Sequence, residues 1–306
     1  MERELELKLT LPVKEAGRLA RQPAVRDALA GTPRTTRLLT VYYDTPDRML
    51  AREGMALRVR HVGKRRIQTL KIATPGGDGE ALKSHDEWSA AIRGDTPDLT
   101  RLVHPRLRDR LGRLSQSDQL REVFRTEFKR RIFPLSVGPS QIEMAVDSGR
   151  IESGDRQEPL SEVELELKSG EPEAVFALAN RLVEALPLHI EHRTKAHRGY
   201  ALAAGRVPGA ALAGPLALDP EATVWSGFVA VVRNCLEQLY ANEVAVLAGA
   251  GADSVNQMRV SVRRLRAAFS AFGLALPQSE VDAHKGDLLL LQQTLGPARD
   301  WDVFIS

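Results

Sequence analysis

Glu4-Leu5-Glu6-Leu7-Lys8, near the amino terminus, recurs letter for letter as Glu164-Leu165-Glu166-Leu167-Lys168. Alternate side chains of a β-strand share a face. In each copy, therefore, the glutamates point one way and the leucines the other. Glu162 extends the acidic row of the second copy, opposite Val163. A third segment, Gln141-Ile142-Glu143-Met144-Ala145-Val146-Asp147, sets Glu143 and Asp147 against Ile142, Met144 and Val146. A merely wet sheet face is normally built from mixed Thr, Lys and Glu, because Glu is a poor strand former and like charges directly opposite repel. Three acid-lined strands therefore predict a cation among them. Carboxylates without a Cys or His cluster favour a hard ion, Mg²⁺ or Mn²⁺. Mg²⁺ takes one or two carboxylates and completes its shell with water and substrate phosphate, so the pattern predicts a phosphate-bearing ligand.

Matching cations are spread along the chain. Arg58 and Arg60 share one strand face, and Thr69 and Lys71 share a face of the return strand beyond the turn Val62-Gly63-Lys64-Arg65. Arg130 lies on a strand with Phe128, and Lys195 and Arg198 follow near residue 200. With Lys8 they form a set that a barrel interior would bring together. Guanidinium forks grip phosphate oxygens in pairs, and lysine adds point charge. Gly76-Gly77-Asp78-Gly79 lacks the Lys-Ser/Thr and the helix of a Walker loop.

The 306 residues suit one large domain or two ordinary ones, with 43% hydrophobic and 27% charged residues. The 43 basic and 40 acidic side chains leave a net charge of +3, which does not mark a nucleic-acid binder. No apolar run approaches the roughly 18 residues of a membrane span. The charged amino terminus does not resemble a signal peptide. Cys235 alone allows no internal disulfide and fits a reducing cytoplasm. Strands are predicted at 2–9, 37–44, 55–61, 66–73, 84–91, 124–133, 140–147 and 160–168, with helices at 13–30, 97–111 and 171–186. A last segment, 188–201, returns toward the strands. This pattern predicts an α+β fold, an eight-stranded antiparallel β-barrel with helices outside.

The Ala-, Gly- and Pro-rich stretch from about 202 to 221 reads as a linker between a domain at 1–201 and a helical segment at 222–306. Apolar residues step by three or four from Trp225 to Leu239, from Met258 to Phe272, and from Val281 to Leu295. They predict three helices of a small all-α bundle, the third ending at Leu295-Gly296-Pro297.

Several of these segments together resemble the CYTH family, the triphosphate tunnel metalloenzymes. They are Glu4-x-Glu6-x-Lys8, Tyr42-Tyr43-Asp44-Thr45-Pro46, Leu57-Arg58-Val59-Arg60, Thr69-Leu70-Lys71, Val163-Glu164-Leu165-Glu166-Leu167 and Lys195-Ala196-His197-Arg198-Gly199-Tyr200. The resemblance spans nearly all of residues 1–201. It implies a tunnel lined by acids and bases that hydrolyses or cyclises a triphosphate. Carried over by position, Glu4, Glu6, Glu164 and Glu166 are the metal carboxylates, with Asp147 as a further acid. Glu4 and Glu6 thereby take part in catalysis. Lys8, Arg58, Arg60, Lys71, Arg130, Lys195 and Arg198 are the phosphate clamp, and Lys195 is the lysine that assists the leaving group. Glu143, Glu162, Glu87 and Glu2 are secondary lining candidates.

The second part is similar to the start of a CHAD domain, through Val255-Asn256-Gln257-Met258-Arg259-Val260, Arg263-Arg264-Leu265-Arg266 and Leu295-Gly296-Pro297-Ala298-Arg299-Asp300-Trp301-Asp302. Such modules usually carry histidine at the position of Asn256. They are also about twice as long, so the expectation is a shortened unit with exposed apolar faces. Arg259, Arg263 and Arg266 share a helix face. By resemblance they form a polyphosphate groove; by charge alone they are a solvated face.

The leading expectation is metal-dependent hydrolysis of tripolyphosphate to pyrophosphate and phosphate, because inorganic triphosphatases of the CYTH family often carry a CHAD segment. Thiamine triphosphate hydrolysis or ATP cyclisation on the same tunnel is the second expectation. A non-catalytic polyphosphate-binding adaptor is the third. Neither nucleic acid nor membrane is an expected partner.

Overall fold

The computed structural model describes residues 5–73, 85–101 and 120–305, in two compact units, 1–206 and 207–306. The first unit is built on one antiparallel sheet. Its strands are β1 (Leu5–Thr10), β2 (Arg34–Asp44), β3 (Met55–Val62), β4 (Arg65–Ala73), β5 (His85–Ile92), β6 (Arg121–Val137), β7 (Ser140–Ser153), β8 (Arg156–Ser169) and the two-residue β9 (His189–Ile190). They lie in the order β5-β4-β3-β2-β6-β7-β8-β1-β9, a nine-stranded sheet. Each of the eight expected strands is present. The closed barrel differs: among the described residues no ladder joins β5 to β1 or β9.

The repeated pentapeptide is the seam of this sheet. β1 and β8 pair antiparallel, with Glu6 opposite Glu166 and Lys8 opposite Glu164. β8 pairs in turn with β7, with Glu164 opposite Ala145 and Glu162 opposite Asp147. The leucines and valines between the acids fall on the other face. There Leu7, Leu9, Met144, Val163 and Leu165 are buried with Val175, Leu178 and Leu182 of the helix Glu173–Ala185. Burying each such side chain contributes about 1.5–3 kcal/mol, which fixes the register and so aims every acid at the opposite face.

β6, β7 and β8 are longer than their alternation predicts. Gly149, beyond the strand expected at 140–147, continues β7 opposite Phe128. A Cβ on it would lie 2.1 Å from the Glu127 carbonyl oxygen, so only glycine permits this approach. The helix expected at 13–30 is broken into a 3₁₀ segment, Val13–Arg21, and one short turn, α1 (Pro23–Arg26). Pro23 has no N–H for a continuing helix and is tolerated only as the first residue of a new one. Of the helix expected at 97–111, only a 3₁₀ turn, Leu99–Arg101, lies within the described residues. Residues 102–119 and the glycine-rich 76–79 lie outside them.

Asp44, in the Tyr-Tyr-Asp-Thr-Pro motif, has a local structural job. Its buried carboxylate accepts hydrogen bonds from the amides of Thr45, Leu50 and Ala51 at 2.7, 2.9 and 3.0 Å, and so caps the single turn α2 (Met49–Arg52). The segment 188–201 is mostly not strand. After β9 the chain forms α4 (Lys195–Ala203), α3 being Glu173–Ala185. Thr194 starts α4 by accepting a 3.0 Å bond from the His197 amide. Lys195 and Arg198 therefore come from a helix, not from strands.

The second unit has α5 (Val224–Leu247), α6 (Ala252–Ala271) and α7 (Gln278–Ile305), packed through Cys235, Leu239, Met258, Val262, Leu265, Leu288, Leu291 and Leu295. The third helix does not stop at Gly296-Pro297. Leu288, Leu291 and Leu295 hold the preceding turns against the core that α6 shares with α5, which offsets the backbone bond that a proline removes. Trp225, Leu247 and Leu290 are exposed. Part of the Ala/Gly/Pro stretch lies against α5. Asn242 takes the amide of Ala211 and donates to its carbonyl, and Asn234 donates to the Gly214 carbonyl. Among the described residues no helix is long and apolar enough to cross a membrane.

Candidate functional site

Following the register across the sheet places one polar face. It carries Glu6 and Lys8 (β1), Glu162, Glu164 and Glu166 (β8), Glu143 and Asp147 (β7), Arg130 (β6), Thr40 and Tyr42 (β2), Arg58 and Arg60 (β3), Thr69 and Lys71 (β4), and Glu87 and Ser89 (β5). Distant strands sense one another across it. The Glu6 carboxyl on β1 is influenced by Lys71 on β4, and the Arg60 guanidinium on β3 by Glu164 on β8. The sheet therefore curls enough to bring its two walls within electrostatic range. Glu4 lies outside the described residues, as does Glu2.

One wall is a dense ion-pair cluster. Asp147, Glu162 and Glu164 each bring an oxygen within 4.8 Å of the others. Lys195 reaches in from α4, 3.0 Å from Asp147 and donating to Glu162 and Glu164 at 2.6 and 2.8 Å. Arg130 forks onto Asp147 with two 2.7 Å bonds and also meets Glu164. Arg198 donates to Glu162 at 2.6 Å, to Glu158 at 2.8 Å and to the Pro159 carbonyl at 2.7 Å. Burial pushes the Glu164 carboxyl up, but Lys195, Lys8 and Arg130 hold it well below the usual carboxylate range. Burial pushes the Lys195 ammonium down, but Glu164, Glu162 and Asp147 outweigh it and hold its proton well above the usual lysine value. Glu162 and Glu164 are ionised, and their charges are already neutralised.

The outer row differs. Glu6, Glu166 and Glu143 stand directly opposite one another on β1, β8 and β7. Among the described residues, Lys8 lies 3.5 Å from Glu6 and Lys168 2.6 Å from Glu166. Burial raises the Glu6 carboxyl, and the Glu164 charge raises it further. A row of facing carboxylates has the chemistry of a hard-cation site. The inner cluster also has cation spacing, but the Lys195 ammonium already sits among its three carboxylates.

The opposite wall is short of negative charge. Among the described residues Arg58 pairs with one carboxylate, Glu87, at 3.8 Å, and its Nε is buried without an acceptor. Arg60 donates to Thr40 Oγ1 at 3.3 Å, and burial together with Arg58 lowers its guanidinium to about 10. Burial raises the Tyr42 phenol, but Arg58 and Arg60 outweigh it and leave it lowered. Lys71 pairs with Glu87 at 2.7 Å. Thr126 Oγ1, on the same face, is also buried without a partner. Unsatisfied donors beside crowded guanidiniums are complementary to an anion.

The structure thus divides the expected clamp. Arg58 and Arg60 remain available, Lys8 and Lys71 have single-sided partners, and Arg130, Lys195 and Arg198 are committed to carboxylates. Glu162, fully buried at the centre of the cluster, was legible only as a secondary candidate. Glu158 and Glu191, which also face Arg198, carried no pattern that marked them. In the helical unit, Arg263 and Arg266 line a cleft of about 540 Å³ with Ser270 and Lys285. Arg259 is not among its lining residues.

Comparison with known proteins gives a consistent family. The chain is 34% identical over 162 residues to an inorganic triphosphatase of Haemophilus influenzae, covering 53% of this chain and 44% of that protein. It is 29% identical over 289 residues to an uncharacterized protein of Mycobacterium tuberculosis, covering 88% of this chain and 52% of that one. The chain therefore spans about half the length of the curated relatives it matches. Among solved structures, a candidate adenylyl cyclase from Hippeastrum, described as having a dominant triphosphatase activity, aligns with a TM-score of 0.47 and 19% identity, covering 67% of this chain and 97% of that one. The Mimivirus capping enzyme triphosphatase aligns with a TM-score of 0.33 and 10% identity, covering 60% and 90%. The CHAD domain model matches residues 230–306. The CYTH domain model matches residues 2–200, so the protein belongs to the CYTH family.

Proposed function

We propose that the first unit hydrolyses a linear inorganic triphosphate to pyrophosphate and phosphate in a metal-dependent reaction. The observation that carries this reading is the imbalance across the polar face: among the described residues Arg58 has one distant carboxylate, Glu87 at 3.8 Å, and Arg60 has no carboxylate within 4.0 Å, while Glu6 and Glu166 face each other across β1 and β8. A triphosphate bound with a divalent cation supplies what both walls lack. The relative from Haemophilus influenzae is an inorganic triphosphatase, which agrees with this substrate.

Glu6 and Glu166 would hold Mg²⁺ or Mn²⁺, with Glu4 two residues before Glu6 on the same strand alternation. Bound there, the ion would offset charge on phosphoryl oxygens and lower the pKa of a coordinated water. Arg58 and Arg60 take phosphoryl oxygens by their forks, and Arg58 Nε gains the acceptor it lacks. Lys8 and Lys71 add charge from either side. Lys195 and Arg130 act by holding the carboxylates of Asp147, Glu162 and Glu164 in place, so the wall opposite the arginines needs no rearrangement during reaction. In the helical unit, the cleft with Arg263, Arg266, Ser270 and Lys285 supports polyphosphate binding.

The test is phosphate release from tripolyphosphate, thiamine triphosphate and ATP, each with Mg²⁺, Mn²⁺ or chelator. Tripolyphosphate is expected to be the best substrate, and chelator to abolish turnover. An advantage of about tenfold in kcat/KM for either organic triphosphate would overturn the substrate assignment. Release that persists in chelator, or unchanged in Glu166→Gln, would overturn the metal site.

A further inference from the structure

Gly199 sits in the middle of α4, a nine-residue helix, where alanine would be the better helix former. Packing explains the choice. A Cβ on Gly199 would lie 2.0, 2.2 and 2.4 Å from three carbons of the Phe124 ring. The ring has nowhere to go. It is buried, stacks on Tyr42 at a centroid distance of 4.3 Å, and meets the edge of Tyr200 at 5.2 Å. Ala196, Tyr200, Leu202 and Ala203 of the same helix pack against the apolar end of the polar face, formed with Phe124 by Leu38, Phe128, Ile151 and Leu160.

Lys195 lies one turn before Gly199 on this helix, and its ammonium stands 2.6 to 3.0 Å from all three clustered carboxylates. We infer that Gly199 is a positioning residue: the bare approach of α4 to Phe124 sets the depth at which Lys195 enters the Asp147–Glu162–Glu164 cluster. Carbon atoms pack at about 3.5 Å, so a methyl group at Gly199 lifts α4 by about 1.5 Å. That displacement takes an ammonium at 2.6 Å out of hydrogen-bonding reach of Glu162. The catalytic consequence rests on the triphosphatase reading; the placement of Lys195 does not.

Two readouts separate these. Lys195 is 8% exposed, so amine acetylation followed by peptide mass spectrometry should find it protected in the native protein. In Gly199→Ala it should label while the protein still melts cooperatively. Its kcat on tripolyphosphate should fall about 10²-fold, as expected for a 1 Å misplacement. Phe124→Leu, which removes the ring that the methyl meets, should restore protection and turnover in the double variant. Phe124→Leu alone controls for the cavity. Gly199→Ala that stays protected and turns over normally overturns the inference. So does a double variant that remains labelled. Should Gly199→Ala not fold, the double variant decides: folded with Lys195 protected supports the inference, and unfolded overturns it. Should the native protein release no phosphate from any triphosphate, the functional proposal fails and the labelling comparison still decides the role of Gly199.

Discussion

Lys195→Met removes a cation but keeps most of its volume. In the native protein the ammonium lies 3.0, 2.6 and 2.8 Å from Asp147, Glu162 and Glu164. Asp147 and Glu162 are wholly buried, so the substitution strands carboxylates that water cannot reach. Removing one member of a buried ion pair costs about 3–5 kcal/mol. Arg130 and Arg198 still neutralise part of the cluster, which places the loss near the lower end, about 3 kcal/mol. For a unit of this size that is a fall in Tm of about 6–12 °C. The pH dependence has a definite sign. Lys195 is held above its ordinary 10.5, so its contribution is complete below that pH and fades only as pH rises through the higher folded value. Glu164 and Glu162 are held below 4.5, so theirs is complete above that pH and is lost as pH falls through their folded values. The gap between native and variant should therefore be flat across neutral pH and shrink in acid. Thermal melts from pH 3 to 9, in chelator, would measure it. A variant that melts at or above the native temperature at pH 7 would refute the reasoning, because desolvation of the charges would then outweigh their attraction.

Glu6→Gln should do the opposite in chelator. Burial and Glu164 raise the Glu6 carboxyl above its ordinary value, so its ionised form costs the fold stability at neutral pH. Neutralising it should stabilise by about 0.2–1 kcal/mol, read as a slightly higher Tm, and should abolish the rise in Tm on adding Mn²⁺. Arg60→Ala should leave stability unchanged or raised, since Arg58 repels this guanidinium, while kcat/KM falls about 10²–10³-fold in a phosphate-release assay. Asn242→Ala removes bonds of 2.9 and 2.8 Å to Ala211 and one of 2.7 Å to the Gln238 carbonyl. It should cost about 1–3 kcal/mol and speed hydrogen exchange at the Ala211 amide.

Alternation along the chain was enough to find the eight long strands and to say which side chains share a face, because a strand has only two faces and apolar residues claim one. It also separated the sheet unit from the helical one. Local pattern misjudged the ends of elements. Pro23 split a helix, Gly149 extended a strand because Phe128 needed the space, and Gly296-Pro297 did not stop a helix already held by Leu288, Leu291 and Leu295. The segment expected only to return toward the strands forms the helix that carries Lys195 and Arg198, started by Thr194.

By itself, then, the order of residues determined which strand acids and bases share a face. Only the folded sheet decided which of them are neutralised. Charge balance depends on distance in space. Lys195 and Glu162, 33 positions apart, meet at 2.6 Å, whereas Arg58 has, among the described residues, a single carboxylate at 3.8 Å. No periodicity records that difference, because it arises when the sheet curls and brings β1 within electrostatic reach of β4.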